Sequence, residues 1–149
     1  MSGTETEAAA RPAVEISVGP ITRTDIVRFA GAGGDFNPLH HDEEYARAAG
    51  FETVFAMGQM QAGMLSRLAT DWLGLANIRS YRVRFSAKVW PGDVLVLRGT
   101  EEGRRRDEAS GEELVDCVLE AVRQDGEVAV RGWVTAVAQV GSCKRPLTS

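Results

Sequence analysis

The stretch GQMQAGMLSRLATDWLG, residues 58–74, limits more than any other what this chain can fold into. It contains no proline. Met60, Ala62, Met64, Leu65, Leu68, Ala69, Trp72 and Leu73 set apolar side chains nearly all round a helix. A helix of that kind cannot rest on a surface by one stripe, so a core helix wrapped by other structure is expected. Gly74 is its expected C-terminal stop. No apolar run approaches the roughly 20 residues needed to cross a bilayer, so no membrane partner is expected.

After residue 76 the hydrophobic period changes to two. SYRVRFSAKVW puts Tyr81, Val83, Phe85, Ala87 and Val89 on one face and Arg82, Arg84, Ser86 and Lys88 on the other, as in a half-buried strand. Pro91-Gly92-Asp93 is a turn. VLVLRGT, LVDCVLEAVR and EVAVRGWVTAVAQV read as further strands, with EEGRRRDEASGEE as a charged hairpin tip and Gln124-Asp125-Gly126 as a tight turn. Upstream, VEISV (14–18) is a short strand. Thr22 and Asp25 form a capping box for a helix whose buried face is Ile26, Phe29 and Ala30. Gly31, Gly33 and Gly34 end that helix, and Asp42 caps a second short helix that runs to Gly50. The expected class is α+β: one domain over residues 14–140, its antiparallel sheet wrapped around the central helix. Residues 1–13 read as a disordered lead-in and 141–149 as a loose tail.

The net charge of −4 excludes the electrostatic footprint of a nucleic-acid binder. Cys117 and Cys143 make neither a disulfide framework nor a zinc spacing, so both are expected reduced, in a cytoplasmic protein. The first residues lack an apolar h-region, so no secretory leader is expected.

The segment GDFNPLHHDEEYA holds both histidines, His40 and His41, with Asp35 five positions before His40. It is either a polar turn or an acid–base pair. Four groups, His40, His41, Asp42 and Glu44, could be asked to hold a metal, but adjacent histidines do not form a preset cage, and none is expected.

This segment resembles the signature of the MaoC-like, (R)-specific enoyl-CoA hydratases: Gly-Asp-x-Asn-Pro-aliphatic-His, five residues, then a small one. Gly34, Asp35, Asn37, Pro38, Leu39, His40 and Ala46 fit it. The resemblance covers roughly residues 20–138 and implies a single hot-dog domain that adds water reversibly to the double bond of a 2-enoyl-CoA. It implies no cofactor; coenzyme A is part of the substrate. It selects Asp35 and His40 as catalytic, Gly58 as the oxyanion donor, and Ser66 as a support for Asp35. Asn37 is expected to tie the loop together and to touch substrate.

The chemistry asks for the same parts. A base takes a proton from water, a proton reaches the carbon beside the carbonyl, and an N–H meets the charge growing on the thioester oxygen. Which of Asp35 and His40 is the base stays open at this level, with His40 preferred. Many family members carry His-Gly where this chain has Met57-Gly58, and Met-Leu where it has Gln59-Met60. Met57, Met60 and Met64 are therefore candidates to line an adaptable acyl channel. Arg84, with Arg82 and Lys88, is the candidate for a coenzyme A phosphate, against a solvated strand face. An unprotected sheet edge predicts a homodimer or a hetero-oligomer with another hot-dog protein. Two rival functions follow: a partner-dependent or mainly structural subunit for a bulky acyl-CoA, and an acyl-CoA thioesterase.

Overall fold

The computed structural model describes residues 10–138. In chain order it contains β1 (Val14–Val18), α1 (Arg23–Gly33), a 3-10 turn (Pro38–His40), α2 (Glu43–Ala48), α3 (Gly58–Leu73), β2 (Ile78–Phe85), β3 (Leu95–Arg106), β4 (Glu113–Arg123) and β5 (Val128–Val137). The five strands form one antiparallel sheet in the order β1-β3-β4-β5-β2. α3 lies across its inner face, which is the arrangement of the hot-dog fold.

The core is the contact between that helix and that face. Leu65, Leu68, Ala69 and Leu73 of α3 meet Leu97, Leu119, Ala121, Val130 and Val134 of the sheet, all nearly inaccessible to solvent. Each buried leucine contributes about 1.5–3 kcal/mol relative to an exposed one. The helix can approach this closely because β3 carries Gly99, where an added Cβ would stand 3.0 Å from both Trp72 and Leu119. The Tyr81 hydroxyl donates to the Ala62 carbonyl at 2.7 Å and ties β2 to the helix; burial pushes its phenol up to about 12. Cys117 is a free, buried thiol whose burial likewise pushes it up to about 12. Cys143 lies outside the described residues.

α3 is less completely wrapped than its composition predicts. Gly63, Arg67 and Asp71 are exposed along one stripe, with an Arg67–Asp71 ion pair one turn apart. The capping box of α1 forms as expected, with Thr22 accepting from Asp25 N and the Asp25 carboxylate accepting from Thr22 N.

Two strand expectations need correction. The strand expected to continue to Trp90 leaves the sheet after Phe85. Ser86 N and Ala87 N both donate to the Ala129 carbonyl, at 2.9 and 3.2 Å, so the register slips there. Val89 then pairs with Ala56 instead. The charged tip is also shorter than expected. β3 and β4 run to Arg106 and from Glu113, and cross-strand pairs such as Arg105–Asp116 hold a section with no apolar alternation.

The outer face of the sheet carries a charged row with one residue from every strand: Glu15, Arg98, Glu120, Arg131 and Arg84 stand opposite one another in register. Glu120 accepts from both Arg98 and Arg131.

Candidate active site

Gly34 ends α1 in the left-handed region, φ 72°, which turns the chain into the polar segment. Asn37 then caps the 3-10 turn, its side-chain oxygen accepting from Leu39 N at 3.1 Å. The Asp35 carboxylate accepts a long bond from Asn37 N, 3.4 Å. Asn37 thus holds this turn through its side chain. Pro38 starts the turn, where its missing N–H costs nothing, and the turn carries His40 inward.

His40 is 8% exposed. Its Nδ1 lies 2.7 Å from the Phe55 carbonyl oxygen. A carbonyl can only accept, so Nδ1 carries the proton and, in neutral His40, Nε2 keeps its lone pair. Phe55 also packs edge-on against the imidazole, centroids 5.3 Å apart, and its N–H reaches back to the Leu39 carbonyl. Tautomer and ring orientation are therefore both fixed by residue 55. Nε2 faces Asp35 Oδ2 across 3.8 Å. That is too long for a direct hydrogen bond and suits one small oxygen held between the two groups.

Asp35 and His40 open onto a cleft of about 280 Å³ lined also by Phe55, Met57, Gly58, Gln61, Phe85 and Lys88. The amide end of α3 borders this cleft. Met57, its N-cap residue, offers no side-chain acceptor to the first turn, which leaves its N–H groups and the positive end of the helix dipole toward the cleft. Gly58 is needed there for a steric reason as well: a Cβ would stand 2.6 Å from the Phe85 ring.

The other candidates divide. Met57 is buried and lines the cleft. Met60 and Met64 do not; they line a separate, wider groove of about 560 Å³ with Ile21 and Phe29 of the β1–α1 side. Met60 and Met64 lie further along α3, where Phe29 and Ile21 pack over the helix. Ser66 does not support Asp35 as expected: its hydroxyl donates to the Gly63 carbonyl of its own helix at 2.8 Å. Arg84 is exposed and stands in the outer charged row beside Arg131, outside the cleft lining. The cation at the cleft is Lys88, which the period-two reading had grouped with Arg84. After the register slip at Phe85 it borders the cleft while staying exposed, with Nζ 5.0 Å from the Phe51 and 5.4 Å from the Phe55 ring centroid. His41 is exposed and reaches the Phe36 carbonyl, so the two histidines serve different acceptors and do not converge.

Two residues at the cleft had not been singled out. Phe55 carries no motif. Gln61 is a glutamine inside an apolar helix, a signal the sequence does display: a buried amide must be satisfied, and here it is 2% exposed.

Comparison with known proteins gives the family of the chain. The family model described as MaoC like domain matches residues 4–122. The chain belongs to the MaoC-like domain family. The (R)-specific enoyl-CoA hydratase of Rhodospirillum rubrum is 36% identical over 85 residues, 56% of this chain and 59% of that protein. The enoyl-CoA hydratase ChsH3 of Mycobacterium tuberculosis is 36% identical over 75 residues, 48% of this chain but only 26% of that longer protein. Among solved structures, the MaoC-like dehydratase of R. rubrum superposes with a TM-score of 0.70 at 26% identity, covering 93% of this chain and 95% of the other. The family match and this superposition both extend over most of the chain.

Proposed function

We propose that this chain is an enoyl-CoA hydratase, adding water across the double bond of a 2-enoyl-CoA to give the (R)-3-hydroxyacyl-CoA, and removing it in the reverse direction. The observation that carries the reading is the 3.8 Å gap between His40 Nε2 and Asp35 Oδ2 at the mouth of a cleft bordered by Gly58. The (R) outcome is supported by the name of the R. rubrum relative.

A water held between the two side chains loses a proton to His40 Nε2 as its oxygen bonds to C3 of the substrate. Electron density moves through C2 to the thioester oxygen, where the Gly58 N–H meets it. The proton passes by way of Asp35 to C2, so the sum is the addition of one water. His40 is the preferred base because Nδ1 is committed to Phe55, which leaves Nε2 as its one basic atom. Lys88 is better placed than Arg84 to meet an anionic part of the thioester carrier.

The test is purified protein with crotonyl-CoA and longer enoyl-CoAs, following loss of the conjugated absorbance. Asp35→Asn and His40→Gln are each expected to lower turnover by about 10²–10⁴. Near-normal turnover in either variant would remove that residue from the mechanism. Release of free thiol instead of hydration would favour the thioesterase.

A second reading, a subunit that works with another hot-dog protein, is favoured by one observation: the Asp35 side chain is still 44% exposed, so the site is open on one side. The M. tuberculosis ChsH1–ChsH2 complex shares this fold, with a TM-score of 0.73 at 23% identity over 89% of this chain and 99% of the other. Turnover that appears only when a second hot-dog chain is added would decide for it.

A further inference from the structure

The peptide group that joins Met57 to Gly58 has two polar ends. Its N–H belongs to Gly58 and is the group assigned to the thioester oxygen. Its C=O belongs to Met57 and points the opposite way, since the peptide is planar and trans. Whatever holds that carbonyl therefore aims the N–H. The next peptide has the Gly58 carbonyl at one end and the Gln59 N–H at the other.

Both carbonyls have the same side-chain partner. With the Gln61 amide in the orientation its neighbours require, Nε2 donates to Met57 O at 2.8 Å and to Gly58 O at 3.2 Å. Gln61 is 2% exposed and lines the same cleft as Asp35 and His40. Met57 O already accepts from Met60 N at 3.0 Å. Gln61 adds a second donor on a carbonyl that the helix alone would satisfy. A structural need for a buried amide at this position is hard to find, because a leucine or methionine would fill the space without one.

We propose that Gln61 is a positioning residue for the oxyanion donor. By gripping the carbonyl ends of the first two peptides of α3, it fixes the direction of the Gly58 N–H and strengthens it as a donor. Hydrogen bonds in series polarise one another, by about 10–30% per bond. The inference rests on the hydratase reading and on Gly58 as donor. It adds the residue that orients Gly58.

The test uses two readouts. Met57–Gly58 is the single Met-Gly pair in the chain, so labelling methionine carbonyls with carbon-13 and glycine with nitrogen-15 gives one correlated signal, from this peptide. In Gln61→Met that signal is expected to move at both the Met57 carbonyl and the Gly58 amide. The second readout is the absorbance of a bound dienoyl-CoA in an Asp35→Asn background, where turnover is blocked. An oxyanion donor pulls this chromophore to longer wavelength. The displacement is expected in Asp35→Asn and to be reduced in Asp35→Asn/Gln61→Met. In the otherwise unchanged enzyme, Gln61→Met lowers kcat about tenfold, less than the roughly 10²–10³ for loss of a donor outright, with KM changed far less.

A full wavelength displacement in the double variant, or an unmoved peptide signal, would overturn the proposal. Should Gln61→Met fail to fold, wild-type protein still decides. The Gln61 side-chain amide protons are expected to exchange with solvent far more slowly than those of exposed Gln59, and equal rates would overturn it. If neither wild type nor Asp35→Asn binds dienoyl-CoA, the hydratase reading fails and this role falls with it, whereas a displacement indifferent to Gln61 removes only the role of Gln61.

Discussion

At the scale of single residues the decisive fact is how few atoms have freedom left. His40 has one ring nitrogen bound to Phe55 and the other facing Asp35. The spacing of Asp35 and His40 was legible in the sequence because both sit in one short loop whose Asn-Pro turn dictates the geometry. Phe55 was not, since its contribution is a backbone carbonyl that any residue carries. Ser66 bonds its own helix in this chain, as a helical serine can, and spacing alone does not exclude that. Gly58 is legible as a glycine but not as to why. Its contact with Phe85 predicts that Gly58→Ala, which keeps the N–H, costs about 1–3 kcal/mol by overpacking and lowers turnover with it. Gly58→Ala/Phe85→Ala is expected to recover most of both losses, measured by melting and by enoyl-CoA turnover against Phe85→Ala alone. A double variant as inactive as Gly58→Ala would show that the open space at the glycine itself serves the substrate.

At the scale of elements, periodicity read well wherever one face is buried. α1 and β5 follow their patterns, whereas α3 leaves Gly63, Arg67 and Asp71 exposed and β1 leaves Ile16 exposed. Periodicity failed where pattern continues and pairing does not. Ala87 and Val89 keep the period of Tyr81 and Phe85, yet the shared Ala129 carbonyl ends the ladder and sends Lys88 toward the cleft. The outer charged row was equally hidden, because register across five strands is a tertiary property. That row carries its own prediction. Burial works to raise the Glu120 carboxyl, but the Arg98 and Arg131 guanidiniums outweigh it and hold the group below its ordinary value of 4.5. The stability this supplies is complete above about pH 4.5 and is lost as pH falls through the lower folded value. Glu120→Gln is expected to be less stable than wild type at pH 7 by roughly 1.5–3 kcal/mol, the worth of hydrogen bonds to a charged group. The deficit should shrink on acidification below pH 4.5, which urea midpoints across pH would show. A deficit that stays constant down to pH 3 would mean that the ion pairs are not its source.

At the scale of the whole molecule, the sheet ends in two edges, β1 and β2, and only one lies next to the site. β2 pairs with β5 along its length and, among the described residues, with nothing on its other side. Eight residues of open edge are a liability that folded proteins generally cover. β2 also ends on Phe85, a large apolar side chain 48% exposed and in the cleft lining. A chain laid along this edge would cover Phe85 and could close the open side of the Asp35 carboxylate. Assembly and activity are therefore expected to be linked. Light scattering of purified protein should give about twice the 16.1 kDa of one chain, and dilution to the monomer should lower specific activity in step with the dissociation. A monomer fully active on enoyl-CoA at every concentration would separate the two and leave β2 a plain edge. A monomer inactive alone, restored by a second hot-dog chain in equal amount, would show that the edge is covered by a different partner.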